Sequence, residues 1–301
     1  MQAIDAIWRF LNKPKTAAWV FILPTIITLM VFLFIPLVAA IVMSLYDINI
    51  FLTDITFVGL NNYRELLQDS RFWNSFFNTL YYVVLAVPLG VIVSLLAALY
   101  VARTDFFHRS IRTIFYIPVI CSMTAVSIIW GILLDPIIGV IPQWTRQLGI
   151  GDFLWLNDPD MAMPLVVVMS VWKTFGLQML IFVAGLMGIP KDYYEAAAID
   201  GANKVQQFFR VTLPLIIPTL GFCVVTGTIG SFMVFDQIYV LTGGGPMFRT
   251  ETIAAYIYWR GFSSPFRLGY ASAISQGLFF MIAVVALLQY KFFLKRETET
   301  G

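Results

Sequence analysis

The sequence predicts an all-α integral membrane protein with six transmembrane helices. Three observations support this fold class: 59% of the 301 residues are hydrophobic, only 12% are charged, and the mean hydropathy is +0.83. An average soluble domain carries about 25% charged residues. The apolar residues also come in long blocks and not in the short periodic faces of soluble helices and strands. We therefore expect lipid to surround most of this chain.

Six apolar blocks are long enough to cross a membrane as helices. A hydrocarbon core about 30 Å thick needs roughly 20 apolar residues in a helix. Blocks of this length, with weak alternation, favour helices over barrel strands. The first block follows basic residues as a signal peptide does, but it is too long for a signal core, so we expect it to be retained. The approximate bounds are Ala17–Leu45, Phe76–Val101, Ile114–Leu134, Pro164–Gly188, Pro214–Val240 and Leu268–Phe293.

The basic residues predict that both termini are cytoplasmic, because Lys and Arg near the ends of spans favour that side. With this orientation, twelve of the nineteen Lys and Arg residues lie in cytoplasmic segments, six lie in outside loops, and Lys173 lies within a span. The expected organisation is a cytoplasmic N-terminal segment (1–16), a six-span domain (17–293) with a cytoplasmic loop (189–214), and a cytoplasmic tail (294–301).

Prolines inside or at the ends of spans predict kinks, since proline removes a helix hydrogen bond. Kinked spans suit a pathway that opens and closes, but membrane helices carry more proline in general, and the two interpretations have equal weight. The prolines concerned are Pro24, Pro36, Pro88, Pro118 and Pro218.

The cysteines and the histidine offer little chemistry. Cys121 and Cys223 lie in apolar blocks and are interpreted as small hydrophobic residues and not as a disulfide or metal site. His108 is the only histidine, which leaves no histidine-rich metal cluster. We expect no metal site, no catalytic residue and no nucleic-acid partner.

The loop between the fourth and fifth blocks carries the strongest motif. Pro190 is suited to starting a helix, and Gly201 is expected to break or closely pack it. A second short helix around 203–209 would present Phe208 and Phe209 beside polar and basic side chains. Exposed aromatic side chains on a loop are typical of a surface that docks into another protein. The polar and basic neighbours are Lys204, Gln206, Gln207 and Arg210.

This loop resembles the signature loop of permeases from binding-protein-dependent ABC importers. The pattern is Glu195-Ala196-Ala197, three residues, Gly201, nine residues, then Val211-Thr212-Leu213-Pro214, with valine where the signature prefers isoleucine. The resemblance implies the type I ABC importer transmembrane fold in a bacterial or archaeal cytoplasmic membrane. It also implies that the loop couples to an ATPase subunit through Glu195, Ala196, Ala197, Gly201, Phe208, Phe209, Leu213 and Pro214.

Two further segments are similar to the carbohydrate branch of these permeases. One is the outside loop Phe57–Tyr63, followed by Asp69, Phe72, Trp73 and Asn78-Thr79, and the other is Phe235–Pro246. This branch includes the first permeases of maltose-type and glycerol-3-phosphate-type systems. The resemblance implies a sugar as cargo, with glycerol-3-phosphate or another polyol as the alternative. Features that depend on the additional N-terminal spans and the large outside domain of the maltose permease are not implied by this resemblance.

The family implies a division of labour among several subunits. An extracytoplasmic sugar-binding protein delivers cargo, this chain and a second homologous permease form the pathway, and a dimer of ATP-binding subunits drives alternating access. The chain contains no Gly-x-x-x-x-Gly-Lys-Ser/Thr loop, so ATP and Mg²⁺ are expected on the partner and no cofactor is expected here.

A sugar crossing a bilayer needs aromatic faces and polar groups inside the spans. The resemblance places the fourth block and the fifth block along the pathway. Gln178, Tyr239 and Ser127 are further polar candidates, although ordinary helix packing explains each as well. The predicted pathway residues are Trp172, Lys173, Thr174, Leu177, Gly227, Ser231, Phe235 and Asp236.

Lys173 stands out because a lysine in mid-membrane costs about 3 kcal/mol and usually faces a cavity or a partner. Two interpretations stay open at equal weight: Lys173 binds sugar hydroxyls, or it forms an ion pair with Asp236. The sequence also offers two rival functions. A secondary transporter would show coupling carboxylates near the midplane, and a membrane enzyme would show a cluster of reactive groups. Neither pattern is present, so both rank below the importer.

Overall fold

The computed structural model describes residues 14–53, 55–103, 105–149, 151 and 154–300, with side chains described from residue 17 to residue 293. Arg9, Lys13 and Asp152 and much of the predicted N-terminal segment lie outside the described residues. The helices are α1 (Pro14–Leu29), α2 (Ile35–Met43), α3 (Asn61–Gln68), α4 (Ser70–Val101), α5 (Phe106–Ile120), α6 (Met123–Leu133), α7 (Val140–Gln147), α8 (Ala162–Met187), α9 (Lys191–Ile199), α10 (Lys204–Gln207), α11 (Leu213–Leu215), α12 (Ile217–Phe232), α13 (Ile253–Phe262) and α14 (Leu268–Thr300).

Shorter elements complete the chain. Two-residue strands β1 (Tyr46–Asp47) and β2 (Thr56–Phe57) pair antiparallel, with Tyr46 opposite Phe57. Three π-helical turns lie at Met30–Phe34, Phe208–Thr212 and Ile238–Thr242, and a 3₁₀ turn lies at Trp155–Asn157.

Four helical segments in the described residues are long and apolar enough to span a membrane, and the number rises to six if each of two bent helix pairs is one span. The four are Ala17–Met43, Ser70–Val101, Ala162–Met187 and Leu268–Phe293. They correspond to the first, second, fourth and sixth predicted blocks. The second begins six residues earlier than predicted, because Asp69 caps its polar first turn by accepting hydrogen bonds from the backbone N–H of Arg71 at 2.9 Å and of Phe72 at 3.4 Å.

The third and fifth predicted blocks are broken helices and not straight rods. Helices α5 and α6 meet at a bend of 93°, and 204–215 meets α12 at 66°. At the first break Cys121 and Ser122 have extended backbones, and Pro118 lies in the last turn of α5. Pro88, in contrast, lies inside the unbroken α4. Cys223 is buried as expected, but Cys121, at the break, is exposed.

The chain divides into two compact units. The larger comprises Asp69–Tyr258 and the residues from Gly277 onward. In it α4 packs chiefly against α8, while α12 packs against α4 and α5 packs against α8. The core includes side chains from each of α4, α8 and α12, namely Val91, Ala98, Val101, Met179, Phe182, Val183 and Cys223, together with Ile216.

The smaller unit comprises residues up to Gln68 and Trp259–Gln276. Asn62 is buried and donates from Nδ2 to the carbonyl oxygens of Ser44 at 2.9 Å and Tyr46 at 3.0 Å. These contacts satisfy the backbone just after α2, so the Phe57–Tyr63 segment closes the end of the first span. Gly269, at the start of α14, packs against the same turn, and a Cβ added there would lie 2.0 Å from the Tyr46 carbonyl oxygen.

We predict that Gly269→Ala destabilises the protein, because the new methyl group overlaps the Tyr46 backbone, which has no flexible end to move aside. Overpacking of this kind costs about 1–3 kcal/mol and should lower the midpoint of thermal unfolding in detergent by about 5 °C. Gly230→Ala is the matched control, since a Cβ in that helix meets nothing within 4 Å. Equal melting of the two variants would contradict the close approach at Gly269.

Candidate functional site

The loop 189–214 folds as the sequence predicted, into two short helices separated by a glycine. Pro190 precedes α9, and Gly201 ends it in the left-handed region at φ +79°, with its N–H donating to the Ala198 carbonyl at 3.0 Å. Asn203 then caps α10: its side chain accepts from the Gln206 N–H at 2.9 Å, and the Gln206 side chain accepts from the Asn203 N–H at 2.9 Å. Pro190 and Asn203 therefore mark the starts of the two helices, and Gly201 marks the end of the first.

The loop exposes an apolar surface that extends beyond the predicted aromatic pair. Phe209 is 60% exposed, whereas Phe208 is half-buried and packs edge-to-face on Phe209 at 5.0 Å between ring centroids. The side chain of Gln207 is buried and donates to the Ala202 carbonyl at 3.2 Å, so it does not belong to the surface where we expected it. The sequence analysis missed the other exposed apolar members, which are Tyr193, Ile199 and Val205.

The signature residues of the loop have different environments. Glu195 and Ala196 are exposed, while Ala197, Leu213 and Pro214 are half-buried. Tyr194 Oη lies 3.0 Å from Thr212 Oγ1, which connects α9 to the π-helical turn after α10. The loop thus exposes four large apolar side chains, which together are called the loop surface: Tyr193, Ile199, Val205 and Phe209.

A cavity of about 420 Å³ lies among α4, α8, α12 and the segment 233–237. Six of the eight predicted pathway residues line it: Thr174, Leu177, Gly227, Ser231, Phe235 and Asp236. Gln178, which the sequence had left undecided, also lines it, and a Cβ at Gly227 would lie 2.9 Å from Gln178 Nε2. A side chain at position 227 would therefore collide with Gln178, and glycine leaves that space free.

Trp172 and Lys173 do not line this cavity. Trp172 packs against Trp130, with ring centroids 5.8 Å apart. The Lys173 ammonium donates to the carbonyl oxygen of Val119, in the last turn of α5, at 3.5 Å. Successive helix residues are about 100° apart, so Lys173 faces the broken third block while Thr174 faces the cavity.

In the described part of the chain no ion pair joins Lys173 to Asp236, and binding of sugar hydroxyls by Lys173 stays a prediction. In this structure the cation lies at the carbonyl end of a helix that ends early, where positive charge is favourable. Pro118 predicted a kink in the third block, but the sequence did not indicate that the helix ends there and leaves the Val119 carbonyl as an acceptor.

A buried polar cluster lines part of the cavity and was not predicted from the sequence. Gln237 Nε2 donates to Tyr82 Oη and to Ser170 Oγ, both at 3.2 Å, and all three side chains are buried. The cluster fixes the segment after α12 to α4 and to α8. Next to it, Phe235 stacks on Tyr239 at 5.4 Å with 26° between the ring planes, while Asp236 is exposed toward the cavity.

The segment after the cavity is held at the start of α4 by an ion pair with a buried carboxylate. Arg71 donates to Glu251 from Nε at 2.9 Å and from Nη2 at 2.7 Å, and the Glu251 side chain is only 1% exposed, whereas the Arg71 side chain is 36% exposed. Ser75 Oγ also donates to Glu251, and Asn78 Nδ2 donates to the carbonyl oxygens of Phe248 at 2.7 Å and Glu251 at 3.0 Å. The contact between Arg71 and Glu251 thus connects the first stretch that resembles the carbohydrate branch to the residues just after the second stretch.

The chain matches the protein family described as "binding-protein-dependent transport system inner membrane component" over residues 58–294. It is similar to the "probable starch degradation products transport system permease protein AmyD" of Thermoanaerobacterium thermosulfurigenes, with 33% identity over 93% of this chain and 95% of that protein. It is also similar to the "sn-glycerol-3-phosphate transport system permease protein UgpA" of Yersinia pestis, with 34% identity over 91% of this chain and 92% of that protein.

A solved structure shares the architecture. The chain resembles a subunit of a bacterial ABC transporter "involved in the import of the acidic polysaccharide alginate", with a TM-score of 0.83 and 25% sequence identity. The alignment covers 96% of this chain and 99% of that one.

We predict strong coupling between Arg71 and Glu251. Arg71→Ala leaves a buried carboxylate without its cation, which should cost about 3–5 kcal/mol in unfolding free energy. Adding Glu251→Gln to that variant should recover at least about 1 kcal/mol, because the uncompensated charge is removed. Thermal or chemical unfolding of the single and double variants in detergent measures this coupling.

Arg267→Ala provides the control, because Arg267 pairs with Glu65 in a setting where the two side chains are 28% and 46% exposed. An exposed pair of this kind contributes about 0–1 kcal/mol. Additive effects of the Arg71 and Glu251 substitutions would show that the two charges do not depend on each other.

Proposed function

Because the chain belongs to the family of binding-protein-dependent transport system inner membrane components, we propose that it is the permease subunit of an ATP-driven sugar importer. The chain forms half of the translocation pathway, and a second homologous permease forms the other half. An extracytoplasmic sugar-binding protein delivers the cargo. A dimer of ATP-binding subunits binds ATP and Mg²⁺ and drives alternating access, so this chain is not the catalytic subunit.

The loop surface is the observation that carries this proposal. A loop of an isolated protein gains nothing by exposing Tyr193, Ile199, Val205 and Phe209 to water, whereas a loop that seats in a groove of another protein buries them. The surface lies on two helices fixed by the Gly201 stop and the Asn203 cap, so it is a preformed shape. Because this shape is preformed, a movement of the ATPase subunit is transmitted to α12, which follows the loop in the chain.

The proposal places six spans in a bacterial or archaeal cytoplasmic membrane, with both termini in the cytoplasm. It counts each bent pair as one span and places the loop surface on the cytoplasmic side. The distribution of Lys and Arg supports this orientation. The extracytoplasmic side then carries the segment that the Arg71–Glu251 pair holds in place. Met247 and Phe248 of this segment are exposed and lie where a binding protein would dock.

The cavity supports a sugar as cargo. Its wall combines the aromatic ring of Phe235 with the hydroxyl of Ser231 and the carboxylate of Asp236. Aromatic rings cover the apolar faces of sugar rings, and the polar groups replace the water that the hydroxyls lose. The relative named for starch degradation products and the alginate transporter point to the same cargo class. The relative named for sn-glycerol-3-phosphate keeps that polyol phosphate as the alternative.

We predict that the tagged chain, purified from membranes in mild detergent, brings with it a second permease and an ATPase with a Gly-x-x-x-x-Gly-Lys-Ser/Thr loop. Phe209→Ala should keep the second permease but weaken ATPase association about ten-fold, because it removes the most exposed aromatic ring of the loop surface. Mass spectrometry of the eluate and ATP-dependent sugar uptake in proteoliposomes give the readouts.

Phe280→Ala serves as the control, since Phe280 is 64% exposed but lies in the last span and not in the loop. Equal loss of the ATPase from both variants would show that the loop surface does not mediate ATPase association. A chain that purifies alone and moves solute without ATP would overturn the importer assignment in favour of a secondary carrier.

We predict that Gly201→Val uncouples ATP hydrolysis from uptake. A β-branched residue at φ +79° carries about 1–3 kcal/mol of backbone strain, so the end of α9 must shift even though the site has room for the side chain. The assembled importer should still hydrolyse ATP while sugar uptake falls. Gly149→Val places the same strain, at φ +67°, in the loop after α7 and should leave coupling unchanged. Normal uptake by Gly201→Val would contradict this role.

A further inference from the structure

We propose that the cavity is electronegative and that this half of the pathway selects uncharged, polyhydroxylated sugars over carboxylated or phosphorylated ones. This inference rests on the proposed function, because it takes the cavity to be part of the cargo pathway. It makes the proposal narrower by naming the charge class of the cargo. Two features of the cavity bear on its charge, one from the side chains and one from the backbone.

The first feature is the charge of the lining side chains. Asp236 is an exposed carboxylate facing the cavity, and no lysine, arginine or histidine lines the cavity in the part of the chain that the structure describes. Asp236 has no ion-pair or hydrogen-bonding partner there among the described residues. Lys173, the ion-pair partner considered for Asp236 from the sequence, donates to the Val119 carbonyl instead. The carboxylate is therefore not neutralised from within this chain.

The second feature is the end of α12 at the cavity wall. The helix ends at Phe232, three residues leave the helical conformation, and a new helical segment begins at Asp236 and continues as the π-helical turn at Ile238–Thr242. The carbonyl end of a helix carries a partial negative charge equivalent to about half an electron, and the amide end carries a matching positive one. Both ends lie at this break, so the end of α12 and the start of the next segment offset each other. The net charge of the cavity wall therefore rests on the carboxylate of Asp236.

The hydrogen-bonding groups suit hydroxyl donors. The carboxylate of Asp236 only accepts hydrogen bonds, and a sugar hydroxyl can donate to it. The hydroxyl of Ser231 and the amide of Gln178 lie on the same wall and complete an arrangement of acceptors and donors for a neutral cargo. A carboxylate or phosphate on the cargo would meet Asp236 with no cation between them, so it would be repelled.

The local field can be measured with charged thiol reagents on the assembled importer. Ser231→Cys places a thiol in the cavity wall, in a background where Cys121→Ser and Cys223→Ala remove the native thiols of this chain. Cationic, neutral and anionic methanethiosulfonates are compared, with rates normalised to a small thiol in solution. We expect the cationic-to-anionic rate ratio to exceed the solution ratio on the order of ten-fold, and Asp236→Asn to remove most of that excess.

Asp160→Asn is the matched control, because it changes the net charge equally at an exposed aspartate that lies outside the loop 189–214 and does not line the cavity. Thr174→Cys is a second probe thiol on the same cavity if the Ser231 variant fails to assemble. A ratio at or below the solution value, or one that Asp236→Asn leaves unchanged, would overturn the inference. A thiol that no reagent reaches would overturn it too, because the cavity would then be closed to solutes.

Cargo selection is tested by protecting the same thiol from the neutral reagent. Maltose should slow the modification more than its carboxylated form, maltobionate, at equal concentration, and Asp236→Asn should narrow the difference several-fold. Equal protection by both, greater protection by maltobionate, or protection by neither would overturn the charge selection. A failure of the proposed function appears separately, as an assembled complex that shows no ATP-dependent sugar uptake whatever the reagent rates are.

Discussion

The constraint on which this structure depends is that backbone N–H and C=O groups within a bilayer have no water to bond. Continuous helices satisfy these groups internally, and α4 and α8 are continuous, although Pro88 removes one bond from α4. The third and fifth apolar blocks are interrupted inside the apolar stretch. Each interruption leaves backbone polar groups without helical partners. Several polar side chains in the interior of the larger unit lie at these interruptions.

Two interruptions of the apolar blocks have specific partners from other elements. At the end of α5, Lys173 of α8 donates to the Val119 carbonyl. After α12, at the end opposite to its 66° bend, Thr252 Oγ1 donates to the Val234 carbonyl at 2.8 Å, and Gln237 is anchored to Tyr82 and Ser170. These contacts pair polar atoms whose burial without a partner would be costly in an apolar environment. The interrupted spans are therefore ordered, and the segment after α12 lines the cavity together with α4 and α8.

Sequence reasoning succeeded where the signal is local. Long apolar blocks located the membrane-crossing candidates of the described residues, and Pro190 and Gly201 indicated the start and the end of the first loop helix, because starts and stops depend on neighbouring residues. The second loop helix was expected around 203–209, and its cap at Asn203 is seen only in the structure. Sequence reasoning failed where the partner is distant in sequence. Arg71 and Glu251 are separated by 180 residues, and neither had a feature that indicated the other. The acceptor of Lys173 was missed for the same reason: Pro118 predicted a kink, but only the three-dimensional structure brings the Val119 carbonyl within reach of the ammonium.

The placement of Lys173 and Asp236 links the physics of the breaks to transport. Both are charged groups in apolar blocks, and a simple pair between them would have neutralised the interior. The structure instead uses the cation to support a helix end outside the cavity and leaves the anion on the cavity wall. A cavity with hydrogen-bond acceptors and no cation is suited to cargo that carries its own donors. The same separation that stabilises a broken span thus determines which chemical class of solute this half of the pathway accepts.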